Sequence, residues 1–387
     1  MALVQPVPSS AAKIKVVGIG GAGGNAVDYM IAKGGVNGVE FISINTDAQA
    51  LLTSKADVKL QIGEKVTRGL GAGGDPRVGK AAAEESKEKI KNTLSNTDMI
   101  FIAGGMGGGT CSGAAAVVAQ IAKEELGALT VAVLTKPFLF EGTKRMVTAE
   151  EAVEKVREKV DTLIIVPNQR LLDVAGKKMT LLEAFGLANS VLGEGVKGIS
   201  ELITATGLIN LDFADVKAVM KDAGSALLGV GEATGEKRAE DAVKTAISSP
   251  LLDVSVEGAR GVLFNVTGGT DLTMADVEAA AKIISEKVGG DANIIFGAKI
   301  DENMEGVKVT VIATGFDETR RLVSQMLPDK KTLPVSGIVS EIEEKEEIPK
   351  KKKFSSKTKL LFQEKDLPEG VEILDDFDIP AYLRKGK

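Results

Sequence analysis

The sequence predicts an α/β fold in which helices cover both faces of a parallel sheet and glycine-rich loops follow several of its strands. Two observations carry this prediction. Apolar, strand-like segments alternate with helical patterns up to about residue 178, and three of these segments run into glycine-rich loops. Closely spaced glycines let the backbone turn several N–H groups toward one point, and a helix that follows adds the positive end of its dipole. This combination is typical of a phosphate-binding site.

The three glycine loops differ in density and in what surrounds them. The densest is Gly104–Gly113, which follows the apolar segment Met99–Ala103 and precedes the alanine-rich run Ala114–Ala122. The others are Gly18–Asn25, after a β-branched run, and Gly69–Gly74. One such loop is as typical of a tight turn as of a ligand site. Three of them in one half of the chain favour phosphate binding.

The strands and the long helix follow in order from the apolar pattern. Buried strands are predicted at Ile14–Gly18, Val39–Ile44, Met99–Ala103, Leu129–Leu134 and Thr162–Val166. Apolar residues spaced by three or four then predict one amphipathic helix from Leu181 to Ile203. Glycines at positions 186, 193, 195 and 198 weaken such a helix, so they predict close packing against a neighbouring element.

A second, smaller α/β or α+β domain is predicted after residue 225. Its strands are Ala226–Gly231, Gly261–Thr267, Asn293–Lys299 and Val307–Ala313, and its helices are Arg238–Ser248 and Met274–Val288. Opposed charge runs then predict a disordered, solvated linker. The predicted organisation is a flexible segment 1–12, a nucleotide-binding domain 13–178, a central helix 179–204, a second domain 205–316, a linker 317–370 and a docking peptide 371–387.

Composition excludes several classes of function. The chain has 387 residues and a formal net charge of −6, which gives no basic surface for nucleic acid. It has no histidine, which excludes Ser-His-Asp and Cys-His catalysis and His-ligated zinc. One cysteine cannot form an internal disulfide, which favours a reducing cytoplasm. No apolar run reaches the length of a membrane span, so no direct membrane insertion is expected.

Two pairs of charged side chains are candidates for chemistry. Asp212 and Asp215 lie three residues apart and could together polarise a water, although a helix N-cap with a dipole-favoured neighbour explains them equally. Glu141 and Arg145 form an i,i+4 pair, which is commonly a surface ion pair. They follow the strand Leu129–Leu134, however, on the edge where α/β sheets bind ligands.

A series of short segments, in order along residues 13–316 and at the terminus, resembles the FtsZ family, the prokaryotic relatives of tubulin that build the division ring. These segments are Gly20–Asn25, Asn45–Leu51, Gly69–Pro76, Gly104–Gly113, Thr135–Phe138, Phe140–Gly142, Asn210–Val216 and Asp378–Arg384. The resemblance implies a tubulin-like fold and a cytoplasmic GTPase at mid-cell. It also implies head-to-tail homopolymers, an assembly-dependent activity, and GTP or GDP with Mg²⁺ held mainly by the phosphates.

The resemblance also implies roles for particular residues. The nucleotide is implied to meet Gly20, Gly21, Ala22, Gly23, Gly24 and Asn25, with Ala72, Gly73 and Gly74 near the γ-phosphate and Gly107, Gly108, Gly109, Thr110, Cys111 and Ser112 around the phosphates. Glu141 and Arg145 would contact ribose and phosphate. Phe185 would flank guanine, and Asn168 and Asn189 would read its edge.

Catalysis and partner binding are implied in the same way. Asp212 and Asp215 would activate water in trans, on the GTP bound by the next subunit. The terminal peptide would bind membrane-tethering division proteins through Asp378, Ile379, Pro380, Tyr382 and Leu383. A head-to-tail contact between different surfaces generates an open filament when its rotation does not close.

The chain departs from the family pattern at Cys111, where glycine is usual, at Ala116, where proline is common, and at Ala205-Thr206. If Cys111 needs a positive φ or faces phosphate, GTP binding or turnover suffers, which leaves a nucleotide-binding filament scaffold with little hydrolysis as the alternative. A helix N-terminus would also favour its thiolate. The opposing expectation is a small, buried and inert side chain.

Two other nucleotide-binding classes explain less of the sequence. A nicotinamide dehydrogenase would use the Gly18-x-Gly20-x-x-Gly23 spacing with Asp47 as a ribose acceptor, but it leaves the 104–113 loop unexplained and has no histidine acid. A P-loop NTPase needs lysine directly after its last glycine, and the chain contains no Gly-Lys-Ser or Gly-Lys-Thr.

Overall fold

The computed structural model describes residues 12–175, 179–204, 209, 211–248, 256–289 and 292–316. The predictions for residues 1–11, for Ala205-Thr206 and Asn210, for the linker 317–370 and for the docking peptide 371–387 lie outside these residues.

In this part of the chain, ten strands form one sheet in the order β3-β2-β1-β4-β5-β6-β7-β10-β8-β9. The strands are β1 (Ile14–Ile19), β2 (Val39–Asn45), β3 (Val58–Gln61), β4 (Met99–Gly105), β5 (Leu129–Lys136), β6 (Thr162–Pro167), β7 (Gly224–Ala233), β8 (Gly261–Gly268), β9 (Asn293–Ile300) and β10 (Val307–Thr314). All pairs from β3 to β7 are parallel, which confirms the predicted parallel sheet. The short strand β3 is absent from the sequence prediction.

Helices alternate with the strands along the described residues. They are α1 (Gly20–Ala32), α2 (Ala48–Thr53), α3 (Glu64–Thr67), α4 (Pro76–Glu85), α5 (Lys87–Leu94), α6 (Thr110–Gln120), α7 (Thr143–Arg157), α8 (Asn168–Ala175), α9 (Leu181–Thr204), α10 (Phe213–Met220), α11 (Arg238–Ile247) and α12 (Met274–Val288). A π-helical turn, Ile121–Glu125, continues α6. Among these helices, none is both long and apolar enough to span a membrane.

The parallel strands are apolar on both faces, which is why they read as continuous apolar runs. On β1, Val16 packs into a core with α1, α9 and α10, while its neighbour Val17 packs into a second core with α4, α6 and α7. Successive strand residues point to opposite faces, so a sheet with helices on both sides buries every position. The predicted α/β class is confirmed by this arrangement.

The long helix α9 confirms the predicted amphipathic helix and most of the predicted close contacts. A Cβ built on Gly195 would lie 2.7 Å from Leu228, and one on Gly198 would lie 2.9 Å from Thr310. Gly193 is similarly close to Met30, whereas Gly186 has no neighbour within 4 Å. Three of the four glycines therefore let β7, β10 and α1 approach the helix.

The second half of the sheet is mixed. β10 pairs antiparallel with both β7 and β8, and β8 pairs parallel with β9. The helices α11 and α12 cover this half and share a separate core with it. β7 joins β6 through only three residue pairs, Thr162–Ile164 with Gly224–Ala226.

Candidate functional site

The carboxyl edge of the sheet brings the glycine loops together. The order β3-β2-β1-β4-β5-β6 reverses direction between β1 and β4, and ligands bind open α/β sheets at such a point. Gly20 follows β1 with a φ of +71°, and a Cβ there would lie 3.4 Å from the backbone nitrogen of Cys111. The loops Gly18–Asn25 and Gly104–Gly113 are therefore in contact at this point of reversal, the switch point of the sheet.

Two helices begin at this point without a side-chain cap. Neither Ile19, before α1, nor Gly109, before α6, accepts a hydrogen bond from the following turn through a side chain. In contrast, Asp47, Asp75 and Asp212 cap α2, α4 and α10 with their carboxylates. The first N–H groups of a helix need a partner and carry the positive end of its dipole. The two uncapped N-termini therefore form a suitable site for phosphate groups.

The third glycine loop, Gly69–Gly74, lies beside Gly104–Gly113, which is called the phosphate loop below. A Cβ on Gly109 would lie 2.8 Å from the Cβ of Ala72 and 2.9 Å from the backbone nitrogen of Asp75. Gly73 and Gly74, both exposed and with positive φ, continue this loop. Ala72–Gly74 is therefore adjacent to the segment that would hold phosphate, as the resemblance implies.

Behind these loops, α4 and α6 touch backbone to backbone. A Cβ on Gly79 would lie 2.2 Å from the carbonyl oxygen of Gly109, and one on Gly113 would lie 2.1 Å from that of Pro76. These distances leave no room for a side chain at either glycine. The phosphate loop is thus held directly against the helix that follows the third glycine loop.

Three hydroxyl groups form hydrogen bonds within the loops of the site. Ser112 Oγ accepts a hydrogen bond from Gly107 N at 2.9 Å, and the Thr46 and Thr110 hydroxyls are 2.7 Å apart. Thr46 is buried directly after β2 and was not among the residues that the sequence assigned to the site. Its place at the end of a strand neighbouring β1 is the sequence signal that could have identified it.

Glu141 and Arg145 form the predicted ion pair, and the pair borders the phosphate loop. Glu141 also accepts a hydrogen bond from Phe138 N at 3.0 Å, and its side chain is mostly buried, whereas that of Arg145 is exposed. A Cβ on Gly107 would lie 2.8 Å from the Arg145 carbonyl oxygen. The Arg145 backbone therefore borders the Gly104–Gly113 loop, and its exposed guanidinium is held in place by Glu141.

Residues around the predicted base pocket meet at the ends of β5 and β6. The Phe185 ring packs edge-on against buried Phe138 at 5.3 Å. Asn168 directly follows β6 and is 5% exposed, yet its Oδ1 has no hydrogen-bond partner. Asn189 lies one turn after Phe185 on α9. Because burying an unpaired polar atom is unfavourable, Asn168 Oδ1 is suited to a ligand that donates hydrogen bonds.

Asp212 and Asp215 do not join this cluster. Asp212 caps α10 by accepting a hydrogen bond from Asp215 N at 2.8 Å, and both side chains are exposed. The other end of α10 lies at the amino edge, where Thr162, the first residue of β6, donates a hydrogen bond to the Met220 carbonyl. Measured from this amino edge, β6 extends about 20 Å to the carboxyl edge, where the glycine loops lie. The helix α10 is only about 12 Å long. The carboxylates at its start therefore lie away from their own chain's glycine loops.

The structure corrects the expectation for Cys111. Its φ is not positive, and its side chain packs inward, where a Cβ on Gly104 would lie 2.3 Å from Cys111 Sγ. Burial raises the pKa of the Cys111 thiol to about 12, which is opposite to the shift expected from the helix dipole. Strain and contact of this side chain with phosphate are therefore both removed as reasons for slow turnover.

We expect Cys111 to be inert to alkylating reagents in the folded protein. With a pKa of about 12, about one thiol in ten thousand is a thiolate at pH 8, and the side chain is buried. Labelling with iodoacetamide at pH 8 should be slow with or without GTP, and rapid in urea. Rapid labelling of the native protein that GTP prevents would contradict this expectation.

The fold and the sequence match known proteins. Residues 13–176 match the Tubulin/FtsZ family, GTPase domain, and residues 224–317 match the FtsZ family, C-terminal domain. An empty FtsZ dimer from M. jannaschii is 49% identical, with a TM-score of 0.76 over 80% of this chain and 89% of that one. A point-substituted FtsZ from M. jannaschii is also 49% identical, with a TM-score of 0.77 over 80% of this chain and 92% of that one.

A more distant likeness concerns the fold alone. CetZ2 from Haloferax volcanii, a GTPγS-bound protofilament, is 21% identical, with a TM-score of 0.67 over 81% of this chain and 96% of that one. The two matched domains, in contrast, follow one another along this chain, and the M. jannaschii proteins are similar to it along most of their length. The match to a GTPase domain implies guanine-nucleotide binding. The chain therefore belongs to the FtsZ family.

Proposed function

We propose that this protein binds and hydrolyses GTP, releasing GDP, and that hydrolysis occurs where two subunits meet in a head-to-tail filament. The observation that carries the proposal is the separation of two half-sites: uncapped helix N-termini lie at the carboxyl edge, and exposed carboxylates lie on α10. Neither half-site is complete in one chain. A second copy would complete both.

Phosphate binding is assigned to the glycine loops. The N–H groups of Gly20–Gly23 and of Thr110–Ser112 lie in the first turns of α1 and α6, and Gly107–Gly109 leads into the latter. These groups would hold the α- and β-phosphates, while Ala72–Gly74 approaches the γ-phosphate. Glu141 and Arg145 border the ribose side, where Arg145 also supplies positive charge.

Guanine is assigned to the pocket of Asn168, Phe185 and Asn189. The unpaired Asn168 Oδ1 accepts hydrogen bonds, and the Watson–Crick edge of guanine offers two adjacent donors. Adenine offers an acceptor at the position of one of them. The exposed face of the Phe185 ring is available for stacking on the base.

Exposed apolar residues support a second copy as the partner that covers the nucleotide. Leu70, in the Gly69–Gly74 loop, is 85% exposed; Leu139, after Phe138, is 67% exposed; and Leu182, about one turn before Phe185 on α9, is 84% exposed. Apolar residues so placed are typical of a protein interface. The glycine-loop surface of one copy would meet the α10 surface of the next copy. Because these are two different surfaces, the contact would be heterologous and would extend as an open filament. The dimer described for the FtsZ relative from M. jannaschii is in keeping with this assignment.

In this arrangement Asp212 and Asp215 would orient the attacking water on the neighbour's γ-phosphate. Asp212 is the N-cap of α10 and Asp215 lies in its first turn, so both carboxylates stand at the positive end of the helix dipole. The backbone N–H groups of α6 would stabilise the charge that develops on the phosphoryl oxygens. As the family resemblance implies, Mg²⁺ would be held mainly by the phosphates and would supply further charge neutralisation.

We also propose that these filaments act in cell division at the mid-cell ring. The terminal residues Asp378, Ile379, Pro380, Tyr382 and Leu383 would bind membrane-tethering division proteins. This assignment rests on the resemblance of the terminal peptide and of both matched domains to the FtsZ family.

The proposal is tested by phosphate release against protein concentration. We expect GTP, but not ATP or GDP, to make the protein sediment, and phosphate release to rise only above a threshold concentration, since a single subunit has an incomplete site. Sedimentation and phosphate release should share that threshold. A rate per subunit that is constant from the lowest concentration upward would overturn hydrolysis at the interface.

A further inference from the structure

The end of α10 remote from the carboxylates is tied to both halves of the sheet. Thr162 Oγ1, at the start of β6, donates a hydrogen bond to the Met220 carbonyl, and Thr314 Oγ1, at the end of β10, donates to the Val219 carbonyl at 3.1 Å. Both threonines are buried. The last carbonyls of a helix lack partners within the helix, so these hydroxyls fix the position of the helix end.

An ion network continues this anchor into the β5–β6 layer. Lys123 Nζ lies 2.7 Å from Asp222 Oδ1 and 3.1 Å from Asp161 Oδ1, and it donates a hydrogen bond to the Val160 carbonyl at 3.0 Å. Buried Asp161 also accepts hydrogen bonds from Thr130 N at 2.9 Å and from Asp222 N at 3.3 Å. Asp222, just after α10, is therefore held through both its side chain and its backbone.

Two unusual backbone conformations coincide in this network. Lys123 lies on the π-helical turn, and Asp222 has a φ of +52°, one of three non-glycine residues with positive φ in the described chain. Burial acts to lower the pKa of Lys123, but hydrogen bonds to Asp222 and Asp161 outweigh it and raise the pKa. Such conformations are unfavourable and persist where surrounding contacts impose them, often near functional sites.

We propose that Asp222 is a positioning residue for GTP hydrolysis, which fixes the tilt of α10 and thereby the placement of Asp212 and Asp215 against the neighbouring subunit. This inference rests on the function proposed above. A helix of eight residues is about 12 Å long, so a tilt of about 5° at its anchored end displaces the other end by about 1 Å. Displacements of that size reduce catalysis strongly while leaving the fold intact.

The test is Asp222→Gly, which removes the carboxylate while suiting the backbone. Glycine adopts a positive φ readily, so the melting temperature should not fall. We expect GTP affinity and sedimented polymer to match the wild type, and phosphate release per sedimented subunit to fall about tenfold. Asp222→Asn should restore most of the rate, because asparagine tolerates this conformation and its carbonyl can accept a hydrogen bond from Lys123.

Asn96→Gly is the matched control. Asn96 has a φ of +57° between α5 and β4 and lies outside the network, so the same backbone change should leave turnover at the wild-type value. A wild-type rate for Asp222→Gly, a parallel loss of polymer and rate, or an equal loss in Asn96→Gly would each overturn the positioning role. Asp212→Asn, measured alongside, separates the two proposals: if it retains activity, the proposed catalytic carboxylate itself is wrong.

Discussion

Replacing Asp212 with asparagine is expected to lower GTP turnover at least about hundredfold while leaving GTP affinity unchanged. Asparagine retains the cap on α10, because its side-chain oxygen can still accept the hydrogen bond from Asp215 N. It loses the charge that would orient and polarise water. The nucleotide loops of the same chain lie at the carboxyl edge, away from this substitution. Phosphate release and equilibrium binding of a fluorescent GTP analogue measure the two quantities separately.

A matched control and a mixing experiment sharpen this prediction. Asp241 is another exposed carboxylate in the first turn of a helix, α11, and Asp241→Asn should leave turnover unchanged. Gly107→Ala would place a Cβ 2.8 Å from the Arg145 carbonyl at a φ of +93° and should block nucleotide binding. Mixing it with Asp212→Asn should recover part of the activity, since each protein supplies the half-site that the other lacks. No recovery, with both proteins present in the polymer, would contradict action in trans.

Replacing Asn168 with leucine is expected to weaken GTP binding about hundredfold, because hydrogen bonds to a buried group contribute about 1–3 kcal/mol each. Leucine has the same branched arrangement of four side-chain heavy atoms and removes an oxygen that has no partner within the protein. The protein itself should therefore be no less stable, which the melting temperature without nucleotide would verify. Competition binding with GTP and ATP measures both the affinity and the preference for guanine.

The control for this substitution is Asn293→Leu, at the exposed first residue of β9. It removes the same amide from a surface position and should change neither affinity. If Asn168→Leu binds GTP as tightly as the wild type, guanine is read elsewhere. If GTP and ATP affinities fall equally, the residue supports the pocket without selecting the base.

The strands and the long helix were predictable because burial is extreme in this fold. A strand such as β4, buried on both faces, reads as an unbroken apolar run over Met99–Ala103, and the spacing on α9 follows its buried side. Helix starts were less predictable. The helical pattern indicated α1 only from Ala26, but the helix begins at Gly20, because the glycine loop itself forms the first turn. Glycine has a low helix propensity, but the contacts at the switch point stabilise this helical turn despite it.

The site was partly predictable, because loops that follow neighbouring parallel strands must meet at one edge. The orientation of a single side chain was not. Cys111 follows the glycines of the phosphate loop, so its sequence position suggested contact with phosphate, whereas the helical turn directs it against Gly104. The two explanations for Asp212 also proved compatible: it is a helix cap in its own chain, which leaves open its proposed action on a neighbour.

The direct backbone contact between α4 and α6 restricts how this protein can change over evolution. No side chain fits at Gly79 or Gly113, so neither glycine can be replaced without moving one helix away from the other. The connector carrying Asp212 and Asp215 is exposed and tolerates change more easily. Under the function proposed above, adaptation of GTP turnover to a different cell or temperature would therefore be expected at the exposed carboxylates of α10 rather than where α4 meets α6.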